Sequence, residues 1–176
     1  RLKPPSTTPN SVSSQAALYP DNPQRAYAAI APFSASEGGP QTLERIRRIR
    51  EGMPGAKVAK SDPGYLHVQF ETRWMKFVDD TEFWFDPRAG LIHVRSASRM
   101  GRNDFGVNRA RVESIRAQLR TLSEEIRKRR ESISRRDTRE TEIDQRIRAV
   151  EQSIALDRER HSMTAARREE LQGEIE

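Results

Sequence analysis

The sequence predicts an α+β fold: a small antiparallel sheet packed on one or two helices, followed by a long C-terminal coiled-coil-type α-helix. Three observations carry this. Runs of alternating apolar and polar residues, punctuated by turn residues, fill the stretch between residues 56 and 97. A helix-spaced apolar stripe precedes them. From Val112 onward apolar residues recur at 3–4 spacing, and no proline follows Pro87.

The elements follow in order. Residues 1–40 are rich in Pro, Ser, Thr and Ala, and all but three of the ten prolines lie at or before Pro40. This reads as an extended N-terminal segment packed on the domain. A helix is predicted over Gln41–Glu51, with Pro40 at its start, Leu43, Ile46 and Ile49 as its apolar stripe, and Arg45, Arg47, Arg48 and Arg50 opposite. Gly52, Pro54 and Gly55 stop it. Strands are predicted at Ala56–Lys60, Tyr65–Thr72, Met75–Phe85 and Leu91–Ala97, with turns at Asp62-Pro63-Gly64 and at Asp86-Pro87-Arg88-Ala89-Gly90. Residues 41–107 thus form the domain core and 108–176 the long helix, which Gly106-Val107-Asn108 starts with Asn108 or Asp104 as cap.

The heptad positions run from Val112 and Ile115 through Leu119, Leu122, Ile126, Ile133, Ile143, Ile147, Val150, Ile154, Leu171 and Ile175. The residues from Leu119 onward are the expected coiled-coil interface. Charged or polar residues interrupt this seam at Arg129, Arg136, Glu140, Asp157, His161, Thr164 and Arg168. Two arrangements account for them. A hairpin could break at Ser134–Thr138, with Asp137 and Glu140 forming a capping box. A continuous helix could instead turn its charged windows toward different partners. The unbroken phase favours the continuous helix, about 95 Å long at 1.5 Å per residue over these positions.

Composition narrows the function. Hydrophobic residues make up 34% of the 176 and charged residues 33%, which fits a modest core with a solvated helical appendage. Cysteine is absent, which excludes disulfides, thiolate metal sites and cysteine nucleophiles. No apolar run approaches the roughly 18 residues of a membrane span. Residues 1–120 hold 19 Lys/Arg against 12 Asp/Glu, whereas residues 121–176 hold 13 against 14. The basic surplus therefore belongs to the domain and implies an acidic protein surface as partner. The chain starts at Arg1 without Met or a signal-type apolar stretch, and its helical pattern still runs at Gly173–Glu176. It is therefore expected to derive from a longer product.

The densest polar cluster is Asp79-Asp80-Thr81-Glu82. Alternation sets Asp79 and Thr81 on one face with Phe77, Phe83 and Phe85, and Asp80 and Glu82 on the other with Val78 and Trp84. Two chemistries fit: acid–base or divalent-cation work by paired carboxylates, or ion pairs with Arg95, Arg99 and Arg109. The matching number of arginines favours ion pairs. Arg95-Ser96-Ala97-Ser98-Arg99 with Gly101 reads either as an anion cradle or as a turn with hydroxyl caps. His67 and His93, read as lying on adjacent strands, lack companions for a metal site. No cofactor loop, zinc signature or nucleophile elbow occurs. Neither a cofactor nor a metal is expected, and nucleic acid is not an expected partner because the aromatics alternate into strands.

Several motifs together resemble a known family: Pro9-Asn10-Ser11-Val12-Ser13-Ser14, Ile30-Ala31-Pro32-Phe33, Pro54-Gly55-Ala56-Lys57-Val58, Val78-Asp79-Asp80-Thr81-Glu82-Phe83, Ile92-His93-Val94-Arg95-Ser96-Ala97-Ser98-Arg99, Asp104-Phe105-Gly106-Val107-Asn108-Arg109 and Arg111-Val112-Glu113. Over about residues 2–120 the chain resembles domain-of-unknown-function family 1499. The resemblance implies a bacterial export or membrane-surface setting, or a plastid and often thylakoid one, and brings no established reaction. Ser11 stands where the family commonly has Cys. The candidate family site carried over comprises Asn10, Ser13, Asp79, Asp80, Glu82, Arg95, Ser98, Arg99, Asn108 and Arg109. The heptad tail over 121–176 departs from the family pattern.

The resulting expectation is a non-enzymatic linker or accessory subunit. It would dock by its basic domain and bridge to partner proteins by its helix, in a multi-subunit assembly such as a plastid light-harvesting complex. The alternative is a small anionic-ligand-binding or hydrolytic domain using Asp79, Asp80, Glu82, Arg95 and Arg99.

Overall fold

The computed structural model describes residues 1–72 and 76–173, with side chains given to residue 167. The chain divides into two compact units, Arg1–Ser123 and Glu124–Glu176.

The first unit is an antiparallel sheet with helices on one face, the predicted α+β class. Its strands are β1 (Ser11–Ser13), β2 (Phe33–Ser34), β3 (Ala56–Asp62), β4 (Tyr65–Glu71), β5 (Val78–Asp86) and β6 (Leu91–Ser98). The helices are α1 (Arg25–Ala28), α2 (Gly39–Glu51) and α3 (Val107–Gly173). Strands β3 to β6 form a meander, and β1 and β2 lie end to end along the outer edge of β6. The N-terminal 40 residues therefore contribute two strands where the sequence predicted only extended chain. Their shortness hides them: runs of three and two residues show no alternation. Of the second long strand, predicted at Met75–Phe85, Met75 lies outside the described residues and β5 begins at Val78, after Lys76 and Phe77. The register carries Asp79 opposite Phe70 and Ser98, and Thr81 opposite Val68 and Ser96.

Alternation places Leu66, Val68, Phe70, Phe83, Ile92 and Val94 under the helices, where they meet Leu43 and Ile46 of α2 and Val112, Ile115 and Leu119 of α3. Phe33 packs edge-on to Phe83 with ring centroids 5.7 Å apart. Each such side chain contributes about 1.5–3 kcal/mol by leaving water. Leu119, predicted to open the intermolecular seam, is thus part of the core. Its heptad phase is continuous with the tail, so spacing alone does not tell a sheet-facing stripe from a free one. Pro40 fits the first turn of α2, as predicted. Gly39 is needed there because a Cβ would sit 2.2 Å from the Phe85 ring.

Arg50 corrects the sequence reading. It was assigned to the solvent face of α2, yet it is fully buried and lies over Phe70, its guanidinium carbon 4.4 Å from the ring centroid.

The second unit is helical from Glu124 to Gly173, with no break at Ser134–Thr138, so the hairpin alternative does not apply. Ile126 is half-buried, and Ile133, Ile143, Ile147, Val150 and Ile154 are exposed to between 47% and 57%. In the first unit Leu122 is half-buried. The side chain of Leu171 and all of Ile175 lie outside the described residues.

Candidate functional site

The sequence-predicted residues do not converge on one point. They divide between the two faces of the sheet.

On the helix-covered face, Arg111 reaches Asp79 with Nη2 to Oδ2 at 2.5 Å, and both side chains are nearly closed to solvent. Arg111 Nη1 also donates to Asn108 Oδ1 at 2.8 Å and to Ser96 Oγ at 3.4 Å. Ser96 donates to Asn108 Oδ1 at 2.6 Å, which leaves Thr81 to donate to Ser96 across 2.8 Å. Asn108 Nδ2 lies within reach of Asp104 Oδ2, Ser98 Oγ and the Asn10 carbonyl at 2.8, 3.0 and 3.2 Å. Asp104 closes the network. It accepts from the Tyr27 hydroxyl and from the amides of Gly106 and Asn108, and so caps α3. Burial works to raise the Asp104 pKa, but the Tyr27 and Asn108 hydrogen bonds outweigh it and hold the carboxyl below its ordinary value. Asn10 adds a 2.7 Å bond from Nδ2 to the Gly101 carbonyl. This network pairs polar groups that would otherwise be stranded under the helices, except for the buried Asn10 Oδ1, which has no partner.

On the opposite face, Asp80 is clasped by Arg99 with Nε and Nη2 at 2.7 and 2.9 Å, and by His67 Nε2 at 2.7 Å. The Arg99 hydrogen bond depresses the Asp80 pKa most, with burial opposing and His67 adding. Glu82 accepts from the Tyr65 hydroxyl at 2.6 Å and faces Arg95 at 3.5 Å. Burial, then that bond to Glu82, raises the Tyr65 pKa. Arg95 also donates to the Pro4 carbonyl at 3.0 Å, pinning the N-terminal segment over this face. Each of the three carboxylates is engaged by its own partners.

Four expectations from the sequence do not hold. Arg109 does not meet the carboxylates: it donates to the Tyr27 and Ala29 carbonyls, the second at 3.0 Å. Ser13 lies apart from the network and accepts from the Gln15 amide at 3.1 Å. The Arg95–Arg99 stretch is not a cradle: Arg95–Ser98 is the end of strand β6, whose pleat sends Ser96 and Ser98 to one face and Arg95 to the other, and Arg99 follows in a bend just beyond it and reaches Asp80 on the Arg95 face. His67 and His93 sit on β4 and β6 with β5 between them. His93 instead stacks on Trp84, ring centroids 5.7 Å apart. No group of metal-ligating side chains occurs among the described residues.

Tyr27 carries no signal in the sequence, whereas Arg111 enters only within a family motif, Ser96 only as a hydroxyl of the Arg95–Arg99 stretch, and Arg50 on the face of α2 opposite its apolar stripe. Arg111 was recoverable: it stands three residues after Asn108, on the same helix face. Arg50 was not, because its neighbours on α2 are solvent-facing arginines. It carries two buried donors, Nε and Nη1, without partners. Burial, then the neighbouring Arg111 charge, pulls its pKa down to about 10. Arg111 and Arg50 both lie over Phe70, Arg111 at 4.3 Å from the centroid. Beside them is an open concavity of about 910 Å³ that Met53, Phe70, Lys57, Lys76, Val107 and Arg111 help to line.

The family model described as "Protein of unknown function (DUF1499)" matches residues 1–119 of the 176. The chain belongs to this family. The DUF1499 match ends where Leu119 makes the last core contact of α3. The tail lies beyond the matched residues. No curated protein matches the chain, and no solved structure does. Among the described residues, no helix of this DUF1499 chain is long and apolar enough to cross a membrane.

Proposed function

We propose that this protein is a non-enzymatic structural linker, a DUF1499 domain that docks onto a partner and extends a helical arm to assemble with further helices. The observation that carries this reading is the row Ile133, Ile143, Ile147, Val150 and Ile154, in phase and about half exposed on a helix that folds against nothing in its own unit. A helix with this much uncovered aliphatic surface gains most of its stability by packing. The carboxylates that could have served catalysis are held in ion pairs and hydrogen bonds. Part of the domain's basic surplus is internal, since Arg109 and Arg116 bind backbone carbonyls and Arg50 is buried. The docking surface then rests on the remaining lysines and arginines. The setting we propose is a plastid, thylakoid-associated antenna assembly, which is one of the settings that the family resemblance implies.

Truncation after Arg120 tests the reading. The domain should stay folded by circular dichroism and thermal melting but lose its association with other chains. Association that survives the truncation undamaged would overturn the arm's role.

A second reading has its own observation. Lys57, Lys76 and Arg111 line the concavity beside Phe70 together with Glu71, which pairs with Lys76 at 2.6 Å; this net positive lining is suited to a small anion rather than to hydrolysis. Isothermal titration with inorganic phosphate tests it; binding abolished by Lys57→Ala would favour this reading.

A further inference from the structure

The tail carries its own complement. Within the second unit the seam reads Ile126, Arg129, Ile133, Arg136, Glu140, Ile143, Ile147, Val150. Laid against a second copy in the antiparallel sense about Thr138, Arg136 meets Glu140, Ile133 meets Ile143, Arg129 meets Ile147, and Ile126 meets Val150. Each layer sets a first heptad position against a fourth, as antiparallel coiled coils require. The two-fold repeats every layer, so the centre holds two reciprocal Arg136–Glu140 pairs with an Ile–Ile layer on either side.

The parallel alternative sets every seam residue against itself. It places Arg129 on Arg129, Arg136 on Arg136 and Glu140 on Glu140, three like-charge layers within four turns. Only the antiparallel register neutralises the centre. Arg129 then lies with its aliphatic stem along Ile147 and its head at the rim. Arg136 and Glu140 stand four apart on one helix, yet neither forms an ion pair within the chain among the described residues. Both groups are thereby left available across an interface.

We infer that the first partner of this helix is a second copy of the same chain, paired antiparallel through residues 126–150 with the two-fold axis at Thr138. The pairing spans roughly 37 Å at 1.5 Å per residue. It rests on the reading of the tail as an assembly element and names its occupant. The linker is then a two-headed one, carrying a DUF1499 domain on each strand of the paired helices.

Light scattering and sedimentation of the full chain test this, with circular dichroism confirming helicity in each variant. The expected mass is twice 20.2 kDa. Arg136→Glu should weaken self-association at least tenfold, and Arg136→Glu combined with Glu140→Arg should restore it. Because the chain lacks cysteine, Ile133→Cys and Ile143→Cys report the sense of pairing. In the antiparallel register neither variant forms a disulfide-linked dimer alone, and their mixture does. Self-linking of Ile133→Cys alone, or indifference of the dimer to Arg136→Glu, overturns the register. A chain that stays monomeric at 100 µM while its tail still binds another helical protein overturns self-pairing and leaves the linker reading standing. A monomer whose association is unchanged by truncation after Arg120 removes both.

Discussion

Arg111 of α3 and Asp79 of β5 meet at 2.5 Å beneath the helix, with Asn108, Ser96 and the Phe70 ring around the guanidinium. The pair fixes the first turns of the long helix over the sheet. It is one link in a network that runs from Thr81 through Ser96 and Asn108 to Asp104 and Tyr27.

Breaking that pair from one side should be severe. Arg111→Met leaves the Asp79 carboxylate buried and alone, at an expected cost of about 3–5 kcal/mol. Asp79→Leu with Arg111→Met should recover most of the loss, because neither charge is then stranded. Urea unfolding of the singles and the double checks this. A double variant as unstable as the sum of its singles would count against it.

Arg50 predicts the opposite sign. Its charge is buried with two unpartnered donors, so replacing it with a side chain of similar volume removes a desolvation cost. Arg50→Met should be neutral or stabilising, by up to about 4 kcal/mol. A loss above about 1 kcal/mol in the same assay would show that its stacking on Phe70 outweighs the buried charge.

Asp80 gives a pH dependence. Arg99 first, and His67 in addition, hold its pKa below the ordinary 3.8 in the folded state. A depressed acid contributes stability that is present above the unfolded pKa and lost as pH falls through the folded one. The stability gap between the protein and Asp80→Asn should therefore be widest above about pH 5 and shrink as pH falls toward the folded pKa. Urea midpoints taken across that range measure it, and a pH-independent gap would contradict the prediction.

Gly39 separates propensity from packing. Alanine is the better helix former by about 1 kcal/mol, yet a Cβ here would lie 2.2 Å from Phe85. Gly39→Ala should destabilise the domain by about 1–3 kcal/mol. A higher melting temperature would show that Phe85 swings aside freely.

The sheet was legible in the sequence where its runs were long. Tyr65–Glu71 and Leu91–Ser98 announce themselves by alternation, and the same alternation places Asp79 and Asp80 on opposite faces. Ser11–Ser13 and Phe33–Ser34 are too short to have a period; they become strands because β6 offers them an edge. The candidate site was legible in its membership and not in its geometry. Asp80 with Arg99 and Glu82 with Arg95 follow from neighbouring strands. Arg109 and Arg111 stand two residues apart on α3 and therefore point apart, and only the docking of the helix decides which of them finds Asp79. The heptad phase misled in one respect. It runs unbroken from Val112 to the tail, although Val112, Ile115 and Leu119 face the sheet while Ile133 and Ile143 face solvent.

Strand β3 forms the other border of the sheet, with a register shift between Val58 and Lys60 and with Lys57 and Lys60 standing in the open. An irregular, lysine-bearing rim is a poor template for a further strand. Opposite it, β1 and β2 already occupy the flank of β6. Lateral accretion of one sheet on the next is thereby discouraged on either side, so crowding many copies of this module together carries little risk of amyloid-like stacking.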